Sequence, residues 1–86
     1  MAEVIQRYTT QFQDENGLTY SVMARGERSA SGTWEGWLEF YPVDKAKAVL
    51  LTGRETTQPD RSALAYWASG LEPLYFEGAF DRARAK

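Results

Sequence analysis

The sequence predicts an α+β domain: an antiparallel four-stranded meander followed by one helix packed on one face (ββββα), with a short fifth strand after it. Three observations lead there. Between residues 3 and 56, large apolar side chains recur mostly at every second position, the period of a half-buried strand. Clusters of turn-forming residues interrupt that alternation at 14–17, 29–32 and 43–46. From Leu64 onward the apolar spacing changes to that of a helix.

The first strand covers residues 3–12, with Val4, Tyr8 and Phe12 on one side and Ile5, Arg7, Thr9 and Gln11 on the other. Asp14-Glu15-Asn16-Gly17 supplies a turn, because Asn and Gly adopt positive φ at low cost. A second strand at 18–27 points Leu18, Tyr20, Val22 and Ala24 one way and Thr19, Ser21, Met23 and Arg25 the other. The two form a hairpin with a loop of four to five residues. Ser29-Ala30-Ser31-Gly32 leads into a third strand at 33–41. Trp34, Gly36, Leu38 and Phe40 share one face of it, and Glu35, Trp37, Glu39 and Tyr41 share the other. Pro42 ends that strand, since it cannot donate to a central ladder. The fourth strand runs over 47–56 around Val49, Leu50 and Leu51, and Gly53 marks a bulge or a close backbone approach.

Thr57-Gln58-Pro59-Asp60 reads as a helix start, with the Thr57 hydroxyl accepting from the Asp60 amide and Pro59 in the first turn. Leu64, Trp67, Ala68 and Leu71 then recur at helical spacing, which predicts a helix over about 58–69. Gly70 suits the left-handed residue that follows many helices. Beyond Pro73, Leu74 and Phe76 alternate with Tyr75 and Glu77, predicting the fifth strand at 74–78. Residues 79–86 fit either a helical turn or a tail, and 81–86, with three basic side chains and one acidic one, read as a frayed C-terminal tail. Residues 1–86 form a single domain, because a chain of this length has no room for a second core.

Leu, Ile, Val and Phe together number only 16, close to the level found in disordered chains. Twelve aromatic residues and a net charge of −2 offset this, so the expected core is folded and weighted toward aromatic rings. The absence of cysteine removes disulfide and thiolate chemistry and fits a reducing compartment. Neither a signal-like apolar segment nor a membrane-length one is present, so a soluble cytoplasmic protein is expected. Residues 1–80 hold seven basic and eleven acidic side chains, a balance that opposes non-specific attraction to nucleic acid or anionic lipid.

Catalysis finds little support in the residues. Histidine and cysteine are both absent, which excludes the usual zinc sites and the commonest acid–base group at neutral pH. No glycine-rich phosphate loop occurs. Glu35 and Glu39 share a strand face, but four residues of strand separate their backbones by about 13 Å, too far for ordinary two-carboxylate chemistry. No catalytic, cofactor-binding or metal-binding residue is therefore assigned. Arg54 and Arg61 are the candidate anion site, placed beside the helix start whose free amides favour negative charge. Against that reading, Asp60 already supplies the charge at this helix end, and Arg54 can pair with Glu55.

Trp37 and Tyr41 share their face with Glu35 and Glu39, and these four residues form the candidate interaction face. Three fates are open to the two rings. A dimer through the sheet can bury them, a base or sugar ring can stack on them, or the chain's own C-terminal segment can fold over them. The phrases at 32–40 (Gly-Thr-Trp-Glu-Gly-Trp-Leu-Glu-Phe), 54–59 (Arg-Glu-Thr-Thr-Gln-Pro) and 66–73 resemble those of small uncharacterised bacterial proteins. That resemblance implies a bacterial cytosolic protein and carries over no site. The expected function is a non-enzymatic protein–protein interaction module, homodimeric or with another protein as partner. The alternative is a domain that binds single-stranded nucleic acid or a small anion.

Overall fold

In the computed structural model, which describes residues 1–85, the sheet and two helices form two layers. The elements are β1 (Glu3–Gln13), β2 (Thr19–Arg28), β3 (Trp34–Pro42), β4 (Leu50–Leu51), β5 (Thr56–Gln58), α1 (Arg61–Ser69) and α2 (Pro73–Arg84). The antiparallel sheet runs β1-β2-β3-β4 in meander order, with β5 also paired to β3. Both helices lie on the same face of it. The α+β class and the ββββα order are those the sequence predicts, with a second helix added.

The hairpins form where the turn chemistry places them. Asp14 Oδ1 accepts from the amides of Asn16 and Leu18, and Gly17 takes φ of 82°. Gly32, at φ of 93°, closes the loop between β2 and β3. β1 is the outer strand, and its pairing to β2 shifts register between Val4 and Gln6 and again between Arg7 and Gln11. The first shift corrects the expected alternation: Ile5 packs against the core, and Val4 pairs with Arg25 on the opposite face.

The fourth strand expected at 47–56 is two short pieces. β4 pairs with β3 at Phe40 and Glu39, and β5 pairs at Gly36, Glu35 and Trp34. Between them the register slips at Gly53 and Arg54. There the Thr52 hydroxyl accepts from the Leu38 amide at 3.0 Å, filling a ladder position that a backbone carbonyl would otherwise take. The fifth strand of the sheet is therefore at Thr56–Gln58, not at 74–78.

Because Thr56–Gln58 pairs with β3, α1 starts later than predicted. Its N-cap is Asp60, which accepts from the Ala63 amide at 2.8 Å, in place of Thr57. Gly70 closes α1 at φ of −96°, so the left-handed cap expected there is absent. Residues 74–78 belong to α2. Pro73 opens that helix, and Phe76, Ala79, Phe80 and Ala83 bury one helical stripe. The strand reading stopped at Gly78 and so missed the second half of that stripe. Helix α2 reaches Arg84 with Ala83 buried, so 81–84 take the helical alternative; Lys86 lies outside the described residues.

The core is aromatic. Phe80 meets Phe12, Tyr20 and Phe40 with ring centroids 5.1–5.8 Å apart, and Tyr8 meets Phe76 edge-on at 4.6 Å. The Tyr8 hydroxyl donates to the Ala68 carbonyl at 2.7 Å, tying β1 to α1. Gly26 and Gly36 pair across β2 and β3, and Leu64 sits on both. A Cβ on Gly36 would lie 2.6 Å from Leu64 Cδ1, so α1 reaches this close to the sheet only because both positions are glycine.

Candidate protein-binding face

Alternation along β2 and β3 sends Tyr20, Val22, Ala24, Leu38 and Phe40 under the helices and their neighbours to the opposite face. Neither helix covers that opposite face. Cross-strand pairs there are Ser21 with Tyr41, Met23 with Glu39, and Arg25 with Trp37. β1 adds Arg7 opposite Met23, and β4 adds Leu51 opposite Glu39, half-exposed.

At its centre lies a carboxylate. Glu39 is 8% exposed, unusual for an acid on a face without a helix. Trp37 Nε1–H donates to its Oε2 at 2.9 Å, and the Tyr41 hydroxyl donates to its Oε1. Arg25 Nε stands 3.7 Å from Oε2, an ion pair without a hydrogen bond, and that buried nitrogen has no other partner among the described residues. Both carboxylate oxygens are thus engaged. The hydrogen bond that Tyr41 donates to Glu39 raises the Tyr41 pKa, reinforced by burial and by the carboxylate's charge and opposed by Arg25 and Arg7.

Chemically, this arrangement is a clamp. Residues two apart on a strand point the same way, so Glu39 sits between Trp37 and Tyr41 and holds each ring by its polar edge. Each oxygen of Glu39 accepts from one ring, so the single carboxylate ties the two side chains together. Its value lies in fixing two large amphipathic side chains in one geometry.

The other predicted positions separate. Glu35 lies on the same face, half-exposed, and pairs with Arg54 at 3.6 Å rather than with Glu39. Arg61 Nε bonds Glu3 of β1 at 3.1 Å. Arg54 and Arg61 are thus each engaged by a carboxylate on a different strand, and Asp60 occupies the helix start between them in sequence. Glu55 binds neither: it accepts from the Tyr75 hydroxyl at 2.5 Å and pairs with Arg82, joining the loop before β5 to α2. Among the described residues, no group of three or more acidic side chains is placed to hold a metal ion.

Helix α2 does not cover Trp37 and Tyr41, because it packs Phe76 and Phe80 on the opposite face of the sheet. Sequence reasoning missed Arg25 as the third contact of Glu39. Its signal was the alternation that puts Met23 and Arg25 on one face of β2, but the register that brings Arg25 opposite Trp37 appears only in the folded sheet. It also missed a groove of about 390 Å³ at the end of this face, whose lining includes Tyr41, Pro42, Val43, Lys45, Lys47 and Val49. Among the described residues, no helix is long and apolar enough to cross a membrane. Compared with protein-family models, curated proteins and solved structures, the chain matches none of them.

Proposed function

We propose that the protein is a non-enzymatic interaction module that receives a protein partner on the helix-free sheet face, with Trp37 and Tyr41 as anchors. The observation that carries this reading is the Glu39 clamp, which orders both rings before any partner arrives. Binding then costs less side-chain entropy than it would with free rings, about 0.5–1.5 kcal/mol less for each side chain already fixed. Tyrosine and tryptophan with one polar edge are also the side chains that most often dominate binding energy.

The size of the face decides the kind of complex. A nine-residue β3 and its neighbours offer roughly 26 Å by 15 Å, about 400 Å² from each partner, below the roughly 600 Å² a side of a stable interface. That supports a transient complex over an obligate homodimer. Nucleic acid is the second reading, because Arg7, Arg25 and Arg54 all gather on this face. Two of the three already pair with Glu39 and Glu35, so few charges are left for phosphates.

The test is Glu39→Gln beside Trp37→Ala and Tyr41→Ala. In Glu39→Gln the Tyr41 titration should move down toward the ordinary tyrosine range, since the charged acceptor that raises it is gone. Each variant should also lose at least fivefold in affinity for a partner that wild type binds. A Tyr41 titration unchanged in Glu39→Gln would show that the clamp does not hold the ring in solution.

A further inference from the structure

The charges on the open face are unevenly compensated. Glu27 pairs with the Met1 amino group at 3.0 Å, Glu35 with Arg54, and Glu39 with Arg25. All three carboxylates of the β2–β3 face are therefore engaged. Three of the cations are not: Arg7, Lys45 and Lys47 are exposed and form no salt bridge among the described residues. These three lie toward the Tyr41 end. Arg7 is close enough for its charge to act on the Tyr41 hydroxyl, and the two lysines belong to the groove beside that ring. Asp44 lies in the same loop, its carboxylate turned to accept from the Ala46 amide, which offsets one positive charge of the three.

Between these cations the surface is apolar. Val43 is 61% exposed and Val49 41%, and they line the groove together with Tyr41 and Pro42. At about 390 Å³ the groove lies at the small end of the range for ligand sites. It admits one or two side chains from a longer chain lying across the sheet. The protein as a whole is acidic, so a cluster of three unpaired cations stands out against the rest of the surface.

We propose that the partner is an acidic peptide segment with an apolar or aromatic anchor. The anchor fills the groove beside Tyr41, Val43 and Val49, and neighbouring carboxylates meet Lys45, Lys47 and Arg7. This rests on the reading of the open face as a protein-binding surface and adds the chemistry of what binds there.

A random dodecapeptide display library selected against the full chain, with K45E/K47E as the counter-selected variant, tests it directly. Sequences rich in Asp and Glu around a large apolar residue should be enriched. A synthetic copy of an enriched peptide should shift the Trp37 indole and Tyr41 resonances and bind at least tenfold more weakly to K45E/K47E. Its affinity should also fall severalfold between low and physiological salt. Enriched peptides of neutral or basic composition that still shift Trp37 and Tyr41 would overturn the acidic partner and leave the binding face standing. Peptides that shift only residues of the helix layer would overturn both, and a selection with no enrichment overturns the acidic partner. Tighter binding of a single-stranded oligonucleotide than of any selected peptide at the same residues would assign the face to nucleic acid. Concentration-dependent dimerisation abolished by K45E/K47E, with no peptide enriched, would assign it to a second copy of this chain.

Discussion

The two faces of the sheet are made from alternate residues of the same strands, yet they handle polarity in opposite ways. Under the helices, Val22, Ala24, Leu38 and Phe40 are closed off from water and meet only rings and methyl groups. On the open side a carboxylate is almost as deeply covered, but by the polar edges of Trp37 and Tyr41 and with the guanidinium of Arg25 beside it. One face gains from removing apolar area from water, and the other gains order from a hydrogen-bonded cluster. Stability should therefore depend on the first face and binding on the second.

The largest expected effect is on the covered face. Phe80→Ala removes a ring that touches three others and should cost about 3–5 kcal/mol, enough to unfold much of a domain this small. Urea denaturation measures it, and a loss under about 1 kcal/mol would mean that the rings do not pack as described. Next is Gly36→Ala, whose new methyl meets Leu64 and should cost about 1–3 kcal/mol. The same change in a Leu64→Ala background should cost clearly less, because the clash has been removed, and a double-mutant cycle reads that coupling.

Tyr8→Phe gives a smaller effect, about 0.5–1.5 kcal/mol at neutral pH, through loss of the bond to Ala68. It also bears on pH. Burial pushes Tyr8 up to about 12, and burial together with the bond to Glu55 pushes Tyr75 up to about 12. In the unfolded chain tyrosine ionises near 10, so above that pH the unfolded state has shed protons that the folded state still holds. The contribution of these groups is complete below pH 10 and is lost as pH rises toward 12. The alkaline decline should flatten in Tyr8→Phe and in Tyr75→Phe, as followed by thermal unfolding at a series of pH values. The smallest effect is expected from Arg54→Ala on the open face, within about 0.5 kcal/mol, since its bridge to Glu35 is well exposed. A stability loss there as large as that of Gly36→Ala would erase the contrast between the faces.

The parts legible in the sequence were those fixed by local chemistry. Alternation placed Leu38 and Phe40 on one side and Trp37, Glu39 and Tyr41 on the other, and the Asp14–Gly17 turn determined the first hairpin. What escaped depended on partners distant in sequence. Leu74 to Gly78 alternate well enough for a strand, and only the burial of Ala79, Phe80 and Ala83, with Phe80 against Phe12 of β1 and Phe40 of β3, decides for a helix. Thr57 is a good capping residue that β3 recruits into the sheet, leaving Asp60 to cap. In the candidate site, the aromatic pair was visible, but the burial of Glu39 was not. A charged residue between two aromatics reads as solvated until register brings Arg25 beside it.

β1 has a consequence for how the molecule behaves when crowded. It is an eleven-residue strand with one side unpaired, the kind of edge onto which another chain can add. Its two register shifts break it into short lengths, the longest continuously paired run being Gln11 to Gln13. A straight incoming strand finds no long template there, because each shift bends the line of amides and carbonyls away from it. Growth into fibres by edge-to-edge addition is thereby hindered at the side where a small β-rich domain is most exposed to it.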